Sequence, residues 1–149
     1  MIKVTLFFSY GVSVKNWHES GFLSRELSYY HDLINNKYAD DFKVVVAPGP
    51  SEIKDAKLIN AISILDNSNA LNISQLSCLI KDSSFVIAND TGPAHMSSHL
   101  GVKGVALFGR HTTAFKVSIE RETFKAIQVD DLNKLSAQKV FEKMSNILG

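Results

Sequence analysis

Phe85-Val86-Ile87-Ala88-Asn89-Asp90-Thr91-Gly92-Pro93-Ala94-His95 is the stretch on which the fold turns. Its first four residues are all apolar and leave no polar face, which is how a strand buried on both sides reads. The polar turn that follows opens a helix. Gly92 permits a tight turn and the close approach of a ligand. Pro93 suits the first helical position, where no amide hydrogen is needed. The amides of Ala94 and His95 have no partner within the helix and are expected to point outward, where the helix dipole makes them an anion site. Thr91 adds a hydroxyl. Ser97 and Ser98 are small enough for the helix to lie close on a sheet, and Gly101 is a helix stop. A capped helix with no ligand explains the same residues equally well. Asp90 or Thr91 would then be the cap, and His95 a partly buried polar residue.

Outward from this stretch, apolar runs of strand length recur at 4–8, 42–47, 61–65, 104–108 and 126–129. Most are too continuous to be one-sided. Helical patterns lie between them, at 17–34, 51–60, 73–81, 93–100 and 135–148. Asn72 is a good N-cap for the third of these. The alternation predicts an α/β domain, a Rossmann-like, doubly wound and mainly parallel sheet in three α/β/α layers. Ligands of such sheets bind beyond the carboxyl ends of the strands, so the loops after the first, second and fourth strands matter most.

The length of 149 residues suits one domain, spanning 1–149. Hydrophobic residues make up 45% and charged residues 21%, enough apolar content for a core. Sixteen basic residues against fifteen acidic ones argue against a dedicated nucleic-acid binder. Cys78, the one cysteine, has no internal disulfide partner; its apolar surroundings predict a buried structural thiol. No apolar run reaches the roughly 18–20 residues of a membrane span. The first residues do not resemble a signal peptide. A cytoplasmic location is expected.

Taken whole, residues 85–109, FVIANDTGPAHMSSHLGVKGVALFG, resemble the signature of glycosyltransferase family 9, which includes the ADP-heptose:lipopolysaccharide heptosyltransferases. The pattern is an apolar strand, Asp-Thr-Gly-Pro-x-His, a helix of small residues, Gly, a second apolar strand and Leu-Phe-Gly. Lys15-Asn16-Trp17 and the turn Ala47-Pro48-Gly49-Pro50-Ser51-Glu52 are similar to two further family features, and the resemblance extends over 4–109. It implies that Lys15 approaches the donor diphosphate, that Glu52 meets the donor ribose, and that Asp90, Thr91, Gly92, Pro93, Ala94 and His95 contact the donor. Read without it, Lys15 is a solvated loop lysine and Glu52 an acid favoured by a helix dipole. Beyond Gly109 the chain departs from the family. Arg110-His111-Thr112-Thr113 replaces a proline-containing loop, and no proline follows Pro93.

The resemblance implies one half of a GT-B enzyme, the half that binds the nucleotide-sugar donor, ADP-heptose or similar. The acceptor half and its general base are expected to be absent from this chain, so a partner chain or further domain would supply them. No catalytic base is assigned, since Asp90, Glu52 and Asp55 read as donor-side or surface groups. The complete reaction would be an inverting transfer to a lipopolysaccharide-type acceptor, with peripheral membrane association of the complete enzyme. No metal and no cofactor are expected, because lysine and helix amides supply the positive charge. A non-catalytic nucleotide-binding or partner module, or a relative of GT-B nucleotide-sugar epimerases, stands as the alternative.

Overall fold

Val44, Val45, Val46 and Ala47 are all buried, yet they belong to two different cores. Successive side chains of a strand point to opposite faces, so an unbroken apolar run needs cover on both sides. The computed structural model of the chain provides it. The residues it describes are 3–8, 42–51, 53–57, 61–89, 92–109, 118–131 and 134–148. They contain strands β1 (Lys3–Phe8), β2 (Phe42–Val46), β3 (Ile62–Ser63), β4 (Phe85–Asn89), β5 (Gly104–Phe108) and β6 (Phe124–Gln128). The helices are α1 (Ile53–Ala56), α2 (Ile73–Asp82), α3 (Gly92–His99) and α4 (Ala137–Leu148).

The strands form one sheet in the order β3-β2-β1-β4-β5-β6, and every neighbouring pair is parallel. This is the doubly wound sheet expected from the alternating pattern. One face is built from Val44, Val46, Phe85, Ile87, Val105, Leu107 and Ile127, and α4 packs on it through Ala137, Val140 and Met144. The other face, with Val45, Val86, Ala88, Ala106, Phe108 and Phe124, meets Ile80 of α2 and Ala94 of α3.

Local chemistry sets the helix ends. Asn72 and Gln75 form a reciprocal capping box at the start of α2, with bonds of 2.8 and 2.9 Å. Gly101 has a φ of +75°, and the amides of Gly101 and Val102 return to the carbonyls of Ser98 and Ser97. That is a Schellman stop, which glycine enters without strain. Helix α4 begins two residues later than the apolar pattern suggests because Ser136 acts as its cap, its hydroxyl accepting from the Lys139 amide.

Some expectations change. The helix expected over 51–60 is the single turn of α1, and the strand expected over 61–65 shrinks to two residues. The chain instead turns at Asp66–Asn69, where Asn67 and Ser68 both have positive φ. Cys78 is exposed, not buried. At 3.6 residues per turn it lies about 200° around α2 from both Leu76 and Ile80, which face the core. The helix expected over 17–34 lies outside the described residues.

Gly104 marks the closest approach in the sheet. A Cβ there would lie 2.5 Å from the Val86 carbonyl oxygen and 2.7 Å from the Phe124 ring. The register places Gly104 beside both residues. Gly104→Ala therefore forces backbone to move and should lower stability by about 1–3 kcal/mol in a denaturant titration.

Candidate functional site

The strand order reverses at β1. From β1 the chain crosses to β2 and then β3 on one side, and returns to β4 on the other. Parallel pairing brings all carboxyl ends to one edge, and a crevice opens at such a reversal because the two connections leave in opposite directions. Phe8 pairs with Ala88, and Phe7 pairs with both Ile87 and Val46. The carboxyl ends of β2, β1 and β4 therefore lie side by side, about 4.8 Å apart from strand to strand. These are the strand ends from which the three loops singled out by sequence depart.

The Gly92-Pro93-Ala94-His95 turn is the first turn of α3, directly beyond β4. Pro93 and Ala94 are buried, His95 is half-buried and Gly92 is exposed. One detail departs from expectation. Ala94 packs into the core and has no accessible surface, so Gly92 and His95 form the open part of the turn. Gly92 does not have a positive φ, and no described atom lies within 4 Å of where its Cβ would sit. Neither backbone conformation nor crowding among the described residues calls for glycine there. Close approach from outside remains as a physical use for it.

The two serines behind this turn are satisfied. The Ser97 hydroxyl donates to the Pro93 carbonyl at 2.7 Å, and the Ser98 hydroxyl to the Ile119 carbonyl at 2.6 Å. Both side chains are buried, as close packing of α3 on the sheet requires. The segment leaving β2 is also packed, with Ala47, Pro48 and Gly49 buried before Pro50 and Ser51 emerge. Lys15, Glu52, Asp90 and Thr91 lie outside the described residues, as do Arg110 and His111.

Two features of this edge are not foreseen from sequence. The Asp66–Asn69 turn follows β3 and is tied to α2 by a 3.0 Å bond from the Gln75 side chain to Asp66. The run Asp66-Asn67-Ser68-Asn69, all turn-forming residues, is the signal that marks it. A cavity of about 320 Å³ lies beyond β6, lined by Val129, Asp130, Lys134 and Lys139 among others. It sits three strands away from β1 in the sheet order. Among the described residues, no helix is long and apolar enough to cross a membrane.

Comparison with known proteins gives the family. Among solved structures the chain resembles E. coli heptosyltransferase WaaC with ADP, at a TM-score of 0.72 and 14% identity, covering 97% of this chain and 44% of that one. A glycosyl transferase family 9 protein from Veillonella parvula DSM 2008 is similar at a TM-score of 0.70 and 16% identity, covering 98% and 46%. A UDP-GlcNAc 2-epimerase from Methanocaldococcus jannaschii, in complex with UDP-GlcNAc and UDP, gives a TM-score of 0.66 at 14% identity, covering 99% and 39%. At such identities the likeness establishes a shared Rossmann-like fold of the GT-B kind. The chain spans less than half the length of each of these structures. No curated protein matches it. The sequence model of glycosyltransferase family 9 (heptosyltransferase) matches residues 15–145, nearly the whole chain. On that match, and with the fold in agreement, the chain belongs to glycosyltransferase family 9.

Proposed function

We propose that these 149 residues form the donor-binding unit of an inverting glycosyltransferase that moves a sugar from a nucleoside diphosphate to a lipopolysaccharide-type acceptor. ADP-heptose is the first donor to test. The observation that carries this reading is a coincidence of place: the turn bearing the family signature opens α3 beside the reversal of strand order. In a doubly wound sheet that is where a nucleotide binds.

In the proposed chemistry an acceptor hydroxyl oxygen bonds to the anomeric carbon of the donor. The bond from that carbon to the diphosphate oxygen breaks, and its electron pair leaves with the nucleoside diphosphate. A base in the acceptor half takes the hydroxyl proton. Lys15 and the amino-terminal turn of α3 stabilise the departing diphosphate, Lys15 as a point charge and the helix through its dipole. Glu52 accepts hydrogen bonds from the ribose hydroxyls. The exposed Gly92 lets the phosphate or sugar end come against the backbone.

The acceptor half comes, in this reading, from a partner chain or an adjoining domain. A nucleotide-binding module without turnover stands as a second reading. The likeness to an epimerase keeps a nucleotide-sugar epimerase relative as a further alternative. Adding candidate acceptor-half proteins to the chain separates these readings. Sugar transfer on addition supports the transferase, and binding without any transfer supports the module.

Incubated alone with ADP-heptose and a lipid A–Kdo acceptor, the chain should yield no glycosylated product by mass spectrometry; robust turnover would overturn the half-enzyme reading. Half a cleft leaves much of the ligand in water, so binding of a nucleoside diphosphate should be weak, with Kd in roughly the millimolar range, or about 4 kcal/mol. An NMR titration with ADP, UDP and GDP should move resonances of Lys15, Glu52 and the 90–95 turn. Lys15→Ala should weaken binding most at low salt, where an exposed charge is least screened. Gly92→Val should weaken binding through blocked approach while the sheet stays folded, since no described atom lies within 4 Å of the Cβ position at Gly92. Shifts that cluster away from these loops would refute the site.

A further inference from the structure

Successive residues of a strand turn their backbone groups to opposite neighbours, and both groups of one residue go the same way. The Val129 amide donates to the Phe108 carbonyl at 2.9 Å, so Phe108 faces β6. Continued by one residue, β5 would aim the amide and the carbonyl of Gly109 at β4. Gly109 is buried, and it lies just past Leu107, the partner of Asn89 at the end of β4. It therefore stands beside the strand end from which the signature turn departs.

The two groups of Gly109 part company here. Its amide shares one planar peptide with the Phe108 carbonyl and points the opposite way, to the β4 side. Among the described residues none accepts from that amide. The Gly109 carbonyl is drawn to the other side, where the Gln128 side-chain amide donates to it at 2.6 Å. Gln128 pairs with Phe108, so its side chain reaches Gly109 across the strand ends, from β6. A glutamine suits this task, because its carboxamide supplies an N–H without a net charge. For an anion the difference matters. A carbonyl oxygen is partly negative and repels a phosphate, whereas a backbone N–H attracts it.

We propose that Gln128 is a positioning residue of the donor site. It withdraws the Gly109 carbonyl from the edge beside the signature turn and leaves the Gly109 amide there as a donor to the diphosphate. Groups from the ends of two neighbouring strands then face one ligand, β4 through the first turn of α3 and β5 through Gly109. This inference rests on the donor-site reading and adds to it a residue outside the stretch 85–109.

The test uses the full chain, isotope-labelled, titrated with ADP and followed by NMR, with Gln128→Met and Gln128→Glu for comparison. Both variants keep the length of the side chain and lose its N–H. In the parent chain the Gly109 amide proton should move downfield with ADP, in step with the resonances of the 90–95 turn. In Gln128→Met the Kd for ADP should rise roughly three- to tenfold, the loss of one ordinary hydrogen bond. Its Gly109 response, extrapolated to saturation, should be lost, which a glutamine that only braces the sheet would not produce. Gln128→Glu should bind more weakly still, since a carboxylate repels both the carbonyl and the ligand. If Gln128→Met keeps either the parent Kd or the parent response at Gly109, the role of Gln128 is refuted, and an effect seen in Gln128→Glu is charge alone. The same follows if the 90–95 turn of the parent responds and Gly109 does not. A parent chain in which neither responds refutes the donor site itself, and this inference with it.

Discussion

A strand whose side chains are all apolar has no side to offer water, and this constraint governs the molecule. In 44–46 of β2, 85–88 of β4 and 104–108 of β5 every residue is buried, so both faces of the sheet need covering. Parallel pairing supplies the helices that do it, because each return from the end of one strand to the start of the next has to cross a face. Helix α4 covers one side, while α2 and α3 cover the other. The same geometry collects every strand-to-helix turn at one edge. Two-sided burial and a clustered set of loops are thus one fact seen twice.

Within that edge the packing separates what the fold needs from what it leaves open. Pro93, Ala94, Ser97 and Ser98 are buried, and both serine hydroxyls have carbonyl partners. Helix α3 is therefore a rigid support, stopped at its far end by Gly101. Gly92, the first residue of that helix, is exposed at the mouth of the turn. Gly104 makes the opposite case. It is buried and wedged between a backbone oxygen and an aromatic ring.

Much of this was legible in the residues. Two strands show as the unbroken apolar runs 85–88 and 104–108, and the start of α2 and the end of α3 show as Asn72 and Gly101, because capping is local chemistry. Legibility failed where tertiary context decides. Cys78 reads as core by its neighbours, yet the helix turns it outward. The run 61–65 has strand composition, but only two residues find a ladder partner before the Asp66–Asn69 turn. Ser136 stands inside an apolar pattern and ends up as a cap, which the pattern alone does not reveal. As for the site, the sequence singled out the turn after β4, and the structure has the first turn of α3 beside the reversal of strand order. Burial of Ala94 was invisible until the sheet it packs on was known.

The position of β1 also bears on how the chain comes to be folded. Strand β1 lies in the middle of the sheet although it precedes the other described strands in the sequence, with Thr5 paired to Val44 on one side and to Phe85 on the other. During synthesis β2 follows first, and β4 is made only after β3 and α2. Until then one long side of β1 stays exposed. Contacts of such sequence separation slow folding and lengthen the life of partly formed states. A nascent chain of this topology has its most vulnerable surface at its own centre, and β4, the strand that leads into the signature turn, is the one that seals it.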